Sequence, residues 1–260
     1  MCAVVSNHCG EPCPRAALGV IAASRGALGG SVTLLNPDGS TTALDRTQMA
    51  IPGDPEEIAA LRFCAPCRAR YILVVEKDTV FNRLTNDGFV HHLPSVLVTG
   101  RGYPDLATRA LVQHLSDALD LDVYVLTDWN PHGVSLMLTY KHGSASFGLE
   151  HYHCAHAEWL GVRSTDVDEL LREAAGRARL DEALQPFTRR DAALADRLLD
   201  RATVQADDEL CAQVRMMAQK QKKLEIEAVY DCGFDFLVHF LVGRIVGSGN
   251  AVRRACARAR

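Results

Sequence analysis

Two short apolar runs, each ending in a carboxylate, constrain this chain more than any other feature. Tyr71-Ile-Leu-Val-Val runs straight into Glu76, Lys77 and Asp78. Val123-Tyr-Val-Leu-Thr runs into Asp128, Trp129, Asn130, Pro131, His132 and Gly133. Continuous apolar runs of this length, rich in β-branched residues, read as strands buried on both faces of a parallel sheet. In such a sheet the residues after the carboxyl ends of the strands line one crevice, where ligands bind. Two carboxylates meeting there, with no basic residue next to the second, suit a hard divalent cation such as Mg²⁺.

The intervening pattern completes a βαβαβ unit. A helix is expected over about Asp78 to Asn86, and a second apolar strand from Ser95 to Thr99 leads into Gly100-Arg-Gly-Tyr-Pro104. Leu106, Ala110, Leu111, Leu115, Ala118 and Leu119 then fall at helical spacing. Pro131 suits the first turn of a further helix running towards Tyr140, with Asn130 as its cap as well as a crevice residue. Asn36-Pro-Asp-Gly39 reads as a turn between strands, Glu56 to Phe63 as a short helix, and His91-His92 as loop. Beyond residue 150, helices are expected over Thr165 to Arg179, Asp191 to Arg201 and Glu209 to Tyr230.

These words, in this order, resemble the Toprim domain of the family formed by the meiotic double-strand-break transesterase and the topoisomerase VI A subunit. The matching words are Ile72 to Asp78 with Phe81 and Leu84, Val98 to Arg109, Asp128 to Gly133 and Tyr140 to Ser144. Weaker echoes run through Trp159-Leu-Gly161, Leu184 to Asp191 and Lys223 to Glu227, and Leu18 to Gly30 is similar to the stretch that leaves the family's winged helix. The fold implied is α/β: a Toprim-type parallel sheet with flanking helices, plus helical C-terminal elements particular to the family. The expected division is a disordered 1–17, a remnant over 18–70 that links the winged-helix region to the Toprim part, and the Toprim domain with its helical extension over 71–260.

The resemblance implies Mg²⁺-dependent cleavage of double-stranded DNA by transesterification, as in a type IIB topoisomerase or at the start of meiotic recombination. Glu76 is then a metal ligand and acid/base group, and Asp128 with residue 130 forms an Asp-x-Asp pair of ligands. Position 130 is Asn, whose carbonyl can coordinate Mg²⁺ without supplying charge. Lys77, Arg101, Arg109 and Lys141 are candidate DNA-phosphate contacts; for any one of them a surface salt bridge is the plainer role. The loop at Gly100 to Gly102 reads equally as a phosphate-approaching loop and as a strand-to-helix turn.

The family's nucleophile is a tyrosine in an Arg-Asp-x-x-Tyr segment of the winged helix. None of this chain's tyrosines, at 71, 103, 124, 140, 152 and 230, lies in such a segment. Two readings stay open: a part of a longer protein, and a natural form that lacks its own nucleophile. The alternative to an enzyme component is a non-catalytic DNA-binding or dimerisation module. Implied partners are duplex DNA, a second copy or a full-length paralogue, and a topoisomerase VI B-like subunit, with action in the nucleus if the source is eukaryotic.

Composition narrows the field around that reading. With 48% hydrophobic and 23% charged residues the chain has the make-up of a soluble domain. Neither a signal peptide nor a membrane-length apolar run is recognisable. A net charge of −4 means that DNA must be met by a local basic surface, such as Arg215 to Lys223 or the tail from Arg253, rather than by an overall field. Nine cysteines without a secretory leader read as reduced thiols. Cys64-Ala-Pro-Cys67 and the cluster His151 to His156 have zinc-like spacing but no second pair at a usual distance.

Overall fold

The computed structural model describes residues 23, 25–143, 152–172, 182–230 and 234–247. Residues 1–17, expected to be disordered, lie outside these, as does His151.

Six strands form the central sheet, in the order β4-β1-β6-β5-β7-β8. Its parallel heart is β6 (Val96–Thr99), β5 (Tyr71–Val75), β7 (Asp122–Leu126) and β8 (Glu158–Gly161). Every residue of β5 and β6 is buried, as continuous apolar runs require when helices cover both faces. The chain leaves β5 for β6 on one side, then crosses back to β7 on the other. The strand order therefore reverses at β5, and the crevice opens at the carboxyl ends of β5 and β7. The stretch read as the approach to the Toprim part contributes two more strands to the same sheet. β1 (Ala27–Gly30) pairs antiparallel with β6, and β4 (Gln48–Ala50) with β1. The hairpin of β2 (Thr33–Leu35) and β3 (Thr41–Ala43) turns at Asn36 to Gly39.

Helix α1 spans Pro55–Ala60, α2 Asp78–Asn86 and α3 Phe89–His92, so His91 and His92 are helical rather than loop. Phe89 and Val90 are buried and pull that turn onto the core. Helix α4 (Leu106–Leu119) is capped by Asp105, whose Oδ1 accepts from the Thr108 N–H at 2.7 Å. Helix α5 is Pro131–His142 and α6 Ser164–Arg172; residues 173–179, where that helix was expected to continue, lie outside the described residues. Trp159 to Gly161, met in the sequence only as an echo, is the parallel edge strand β8.

The C-terminal helices are α7 (Arg189–Leu199), α8 (Ala202–Gln205), α9 (Asp208–Lys220), α10 (Ile226–Tyr230) and α11 (Phe234–Gly247). Helix α7 opens on a capping box between Thr188 and Asp191. The single helix expected over Glu209 to Tyr230 is instead two. Gln221 takes a left-handed φ of 50°. The chain after it turns extended, pairing Lys222 and Lys223 (β10) with Pro186 and Gln185 (β9). Tertiary strand pairing overrides the helical propensity of this polar stretch. No helix among the described residues is long and apolar enough to cross a membrane.

Candidate metal centre

Glu76 is the first residue past β5. Its N–H still donates to the Leu126 carbonyl at 3.0 Å, and its own carbonyl accepts from the Gly102 N–H at 2.9 Å. The Gly100–Gly102 loop is thus a strand-to-helix turn that clamps the Glu76 backbone. Within it Arg101 holds a left-handed φ of 54°, and a side chain at Gly100 would press on the Tyr140 hydroxyl and Pro104 Cα, both at 3.1 Å.

Asp128 lies two residues past β7, and its own N–H donates to Glu76 Oε2 at 3.0 Å. The structure therefore brings Glu76 and Asp128 together, with Asp128 only 4% exposed and Glu76 half-buried. Burial first, and then the charge of Asp128, pushes the Glu76 carboxyl up to about 7. Burial likewise pushes Asp128 up to about 6, against the bond from Ile226 N–H and the charge of Lys77.

Asn130 stands beside them as the cap of α5, its Oδ1 accepting from the Gly133 N–H at 2.7 Å. Its oxygen is thereby engaged with the helix. Gly133 is required for close approach, since a Cβ there would stand 2.4 Å from the Asp128 carbonyl oxygen.

Two carboxylates reach the crevice that sequence reasoning did not single out. Lys77 Nζ is 3.0 Å from Glu225 Oε2, 3.0 Å from Glu227 Oε2 and 3.5 Å from Asp128 Oδ2. Burial alone would lower the Lys77 pKa, but these three partners outweigh it and hold the ammonium above the usual lysine range. The only trace in the sequence was the weak echo at Lys223 to Glu227.

The other sequence-chosen cations divide. Arg101 is at the rim, half-exposed, with Nε donating to Asp78 Oδ1 at 2.9 Å. Arg109, read as a DNA contact, is 2% exposed inside the first turn of α4, and its Nη1 donates to the Tyr152 carbonyl at 3.2 Å. A guanidinium buried against the protein's own backbone is not available to DNA. Lys141 sits in the last turn of α5, about 17 Å along the helix from its cap at Asn130. It lines a small cleft with Glu158, Arg163 and Glu209 instead. His132 faces Tyr103, whose hydroxyl is 3.3 Å from Nδ1, and Asp191, whose Oδ1 is 3.8 Å from Nε2.

In donor chemistry the crevice fits a hard divalent cation. Its donors are oxygens, its carboxylates outnumber Lys77 four to one, and an ammonium already sits among three of them. The carboxylates are spread around that ammonium. Among the described residues no three His, Cys, Asp or Glu side chains share an ion-sized seat. This holds also for Cys64 and Cys67, free thiols that line a cleft of about 330 Å³ with Asp45 and His91.

Comparison with known proteins gives the chain a family. The family model for the Toprim domain of the topoisomerase 6 A-subunit/Spo11 proteins matches residues 71–245. The chain is 40% identical over 239 residues to meiotic recombination protein SPO11-2 of Oryza sativa subsp. indica, covering 90% of this chain and 59% of the relative. It is 32% identical over 228 residues to meiotic recombination protein SPO11 of Homo sapiens, covering 86% and 55%. The A3 subunit of DNA topoisomerase 6 from Oryza sativa subsp. indica is 30% identical over 233 residues, covering 86% and 49%. The chain spans a little over half the length of the SPO11 relatives. Toprim domains in general bind Mg²⁺.

Proposed function

Because the chain belongs to the topoisomerase 6 A-subunit/Spo11 Toprim family, we propose that its crevice is the cation-binding half of a site for double-strand DNA cleavage by transesterification, of the kind that starts meiotic recombination. One observation carries the reading: the bond from Asp128 N–H to Glu76 Oε2, which holds two carboxylates side by side at the switch point of the sheet. Glu76 and Asp128 would hold Mg²⁺, which neutralises charge at the scissile phosphate and at the leaving 3′ oxygen when bound. Asn130 keeps α5 aimed at the crevice, and Lys77 in the crevice and Arg101 at the rim are the phosphate contacts left after Arg109 and Lys141 are set aside. The partners proposed are duplex DNA, a second copy or full-length paralogue, and a topoisomerase VI B-like subunit, in the nucleus.

No tyrosine of this chain lies in a segment of the family's Arg-Asp-x-x-Tyr type. Tyr71, Tyr124 and Tyr140 are buried. Tyr103 is 43% exposed near the crevice, but partial burial and the Glu76 charge raise its pKa and disfavour the phenolate. The 260-residue chain alone is therefore expected to form no covalent adduct with labelled duplex DNA on a denaturing gel.

The positive test supplies the nucleophile from a full-length relative whose own crevice has been inactivated, co-purified with this chain. An adduct is expected on the relative with wild-type chain, reduced at least about a hundredfold with Glu76→Gln, the scale of losing one electrostatic stabiliser. An adduct indifferent to Glu76 would refute the reading. It would leave a second one, a DNA-binding or dimer-forming module without chemistry, which the engagement of the Asn130 oxygen in the helix cap favours.

A further inference from the structure

Arg101 holds a left-handed φ of 54° at a place where glycine would hold it at lower cost. Among the described residues, two other non-glycine residues have such a φ, Asp120 and Gln221. Both close helices, α4 and α9, where a left-handed residue is usual. Arg101 closes no helix and stands between Gly100 and Gly102. A conformation of this kind persists where the surroundings over-determine it, and it clusters at ligand sites.

The surroundings fix Arg101 twice. Its N–H donates to Thr99 Oγ1 at 3.1 Å, and the N–H of Gly102 donates to the Glu76 carbonyl at 2.9 Å. The backbone is thereby locked to the residue that carries the first crevice carboxylate. The side chain is held separately, its Nε donating at 2.9 Å to Oδ1 of Asp78, in the first turn of α2. That bond uses one of the five guanidinium N–H groups. Nη1 and Nη2 make no hydrogen bond to a described residue, and the side chain is half-exposed. A bidentate pair with Asp78 would have consumed more of the guanidinium; this one leaves its outer fork open.

We infer that Asp78 is a positioning residue for DNA: by taking Nε it presents Nη1 and Nη2 of Arg101 as a preset fork for one phosphate of the duplex, in register with Glu76 through the shared loop. The inference rests on the proposed function, in which Arg101 meets phosphate, and adds the residue that aims it. A guanidinium fork matches two phosphate oxygens, and an arginine that is already ordered loses less freedom on binding. Asp78 also carries a charge that repels phosphate. That repulsion acts between exposed groups and is screened by water and salt. Ordering a long side chain beforehand is worth about three- to tenfold in affinity, so orientation outweighs repulsion.

The test is binding of the 260-residue chain to a short labelled duplex, followed by fluorescence anisotropy over a range of salt concentrations. EDTA is present, so the result does not depend on whether Glu76 and Asp128 hold a cation. Asp78→Ala is expected to bind about three- to tenfold more weakly than wild type. Asp78→Asn keeps an oxygen for Nε and drops the charge, and is expected to bind at least as tightly as wild type. Arg101→Gly should lose one phosphate contact, read as a salt slope shallower by about one, and should melt no lower than wild type. Added to Arg101→Gly, Asp78→Ala should weaken binding no further. A further loss there would mean that Asp78 acts on the fold and not through Arg101, which overturns the inference. It is equally overturned if Asp78→Ala binds as tightly as wild type or more so, if Asp78→Asn binds as weakly as Asp78→Ala, or if Arg101→Gly keeps the wild-type slope. Absence of any binding by wild type overturns it too, and leaves the cation site to the adduct test with Glu76→Gln.

Discussion

Glu76→Gln is expected to make the metal-free protein more stable at pH 8 while removing its response to Mg²⁺. The Glu76 carboxyl is pushed up to about 7 by burial and by Asp128. In the unfolded chain it titrates near its ordinary value, about 4.3. A folded-state pKa raised in this way means that the native state binds more protons, so stability falls as pH rises. The cost is absent below about pH 4.5, grows as pH climbs through 7 and is fully present at pH 8. It is on the order of a few kcal/mol at one pKa unit per 1.36 kcal/mol. Glutamine keeps an oxygen for the Asp128 N–H and carries no charge, so it escapes this cost. Thermal melts in EDTA should place Glu76→Gln above wild type by several degrees at pH 8, with the gap closing towards pH 4. Mg²⁺ should raise wild type only, by ligand linkage, and reverse the order. A variant less stable than wild type at pH 8 without metal would show that the Glu76 charge is not strained. The pattern is that of a site whose residues are kept for a ligand rather than for stability.

Trp129→Ala is expected to be the most damaging single substitution around the crevice. Trp129 lies between Asp128 and Asn130 and is fully buried. Its Nε1 donates to Ser164 Oγ at 2.9 Å, and the Ser164 N–H donates to Gln213 Oε1 at 2.7 Å. One side chain thus joins the site loop to α6 and α9, while its backbone carries the pairing with Leu224. Truncation to alanine should cost about 3–5 kcal/mol, the usual range for a buried large aromatic. Trp129→Phe keeps most of the ring volume but leaves Ser164 without its donor, and should cost about 1–3 kcal/mol. Urea melts of both variants check this. Near-wild-type midpoints would mean that the loop is held by its backbone bonds alone.

What was legible in the sequence was local. β5, α2 and α4 stand where their apolar patterns put them, because a run buried on both faces and a helix with one apolar stripe announce themselves within ten to fifteen residues. The Asn130 cap was legible for the same reason, being set by residues three apart. The missed features are long-range. Ile226 bonds to Asp128 across 98 positions of sequence, and no periodicity near residue 226 hints at it. The break at Gln221 is imposed by partners at 185, 186 and 129. Arg109 looks like any basic residue on a helix until the helix is packed, and only then is its guanidinium seen to be buried. Lys141 shares a sequence word with the crevice but stands at the far end of α5 from it.

The proposed function requires Glu76 and Asp128 to hold a divalent cation between β5 and β7. Crystals of the chain grown with saturating Mn²⁺ test it by anomalous scattering. The expected result is a peak in the crevice within ligand distance, roughly 2–2.5 Å, of a carboxylate oxygen of each residue, and its loss in Glu76→Gln. A well-ordered crevice with no anomalous peak, or Mn²⁺ bound only at other surface carboxylates, would contradict the account.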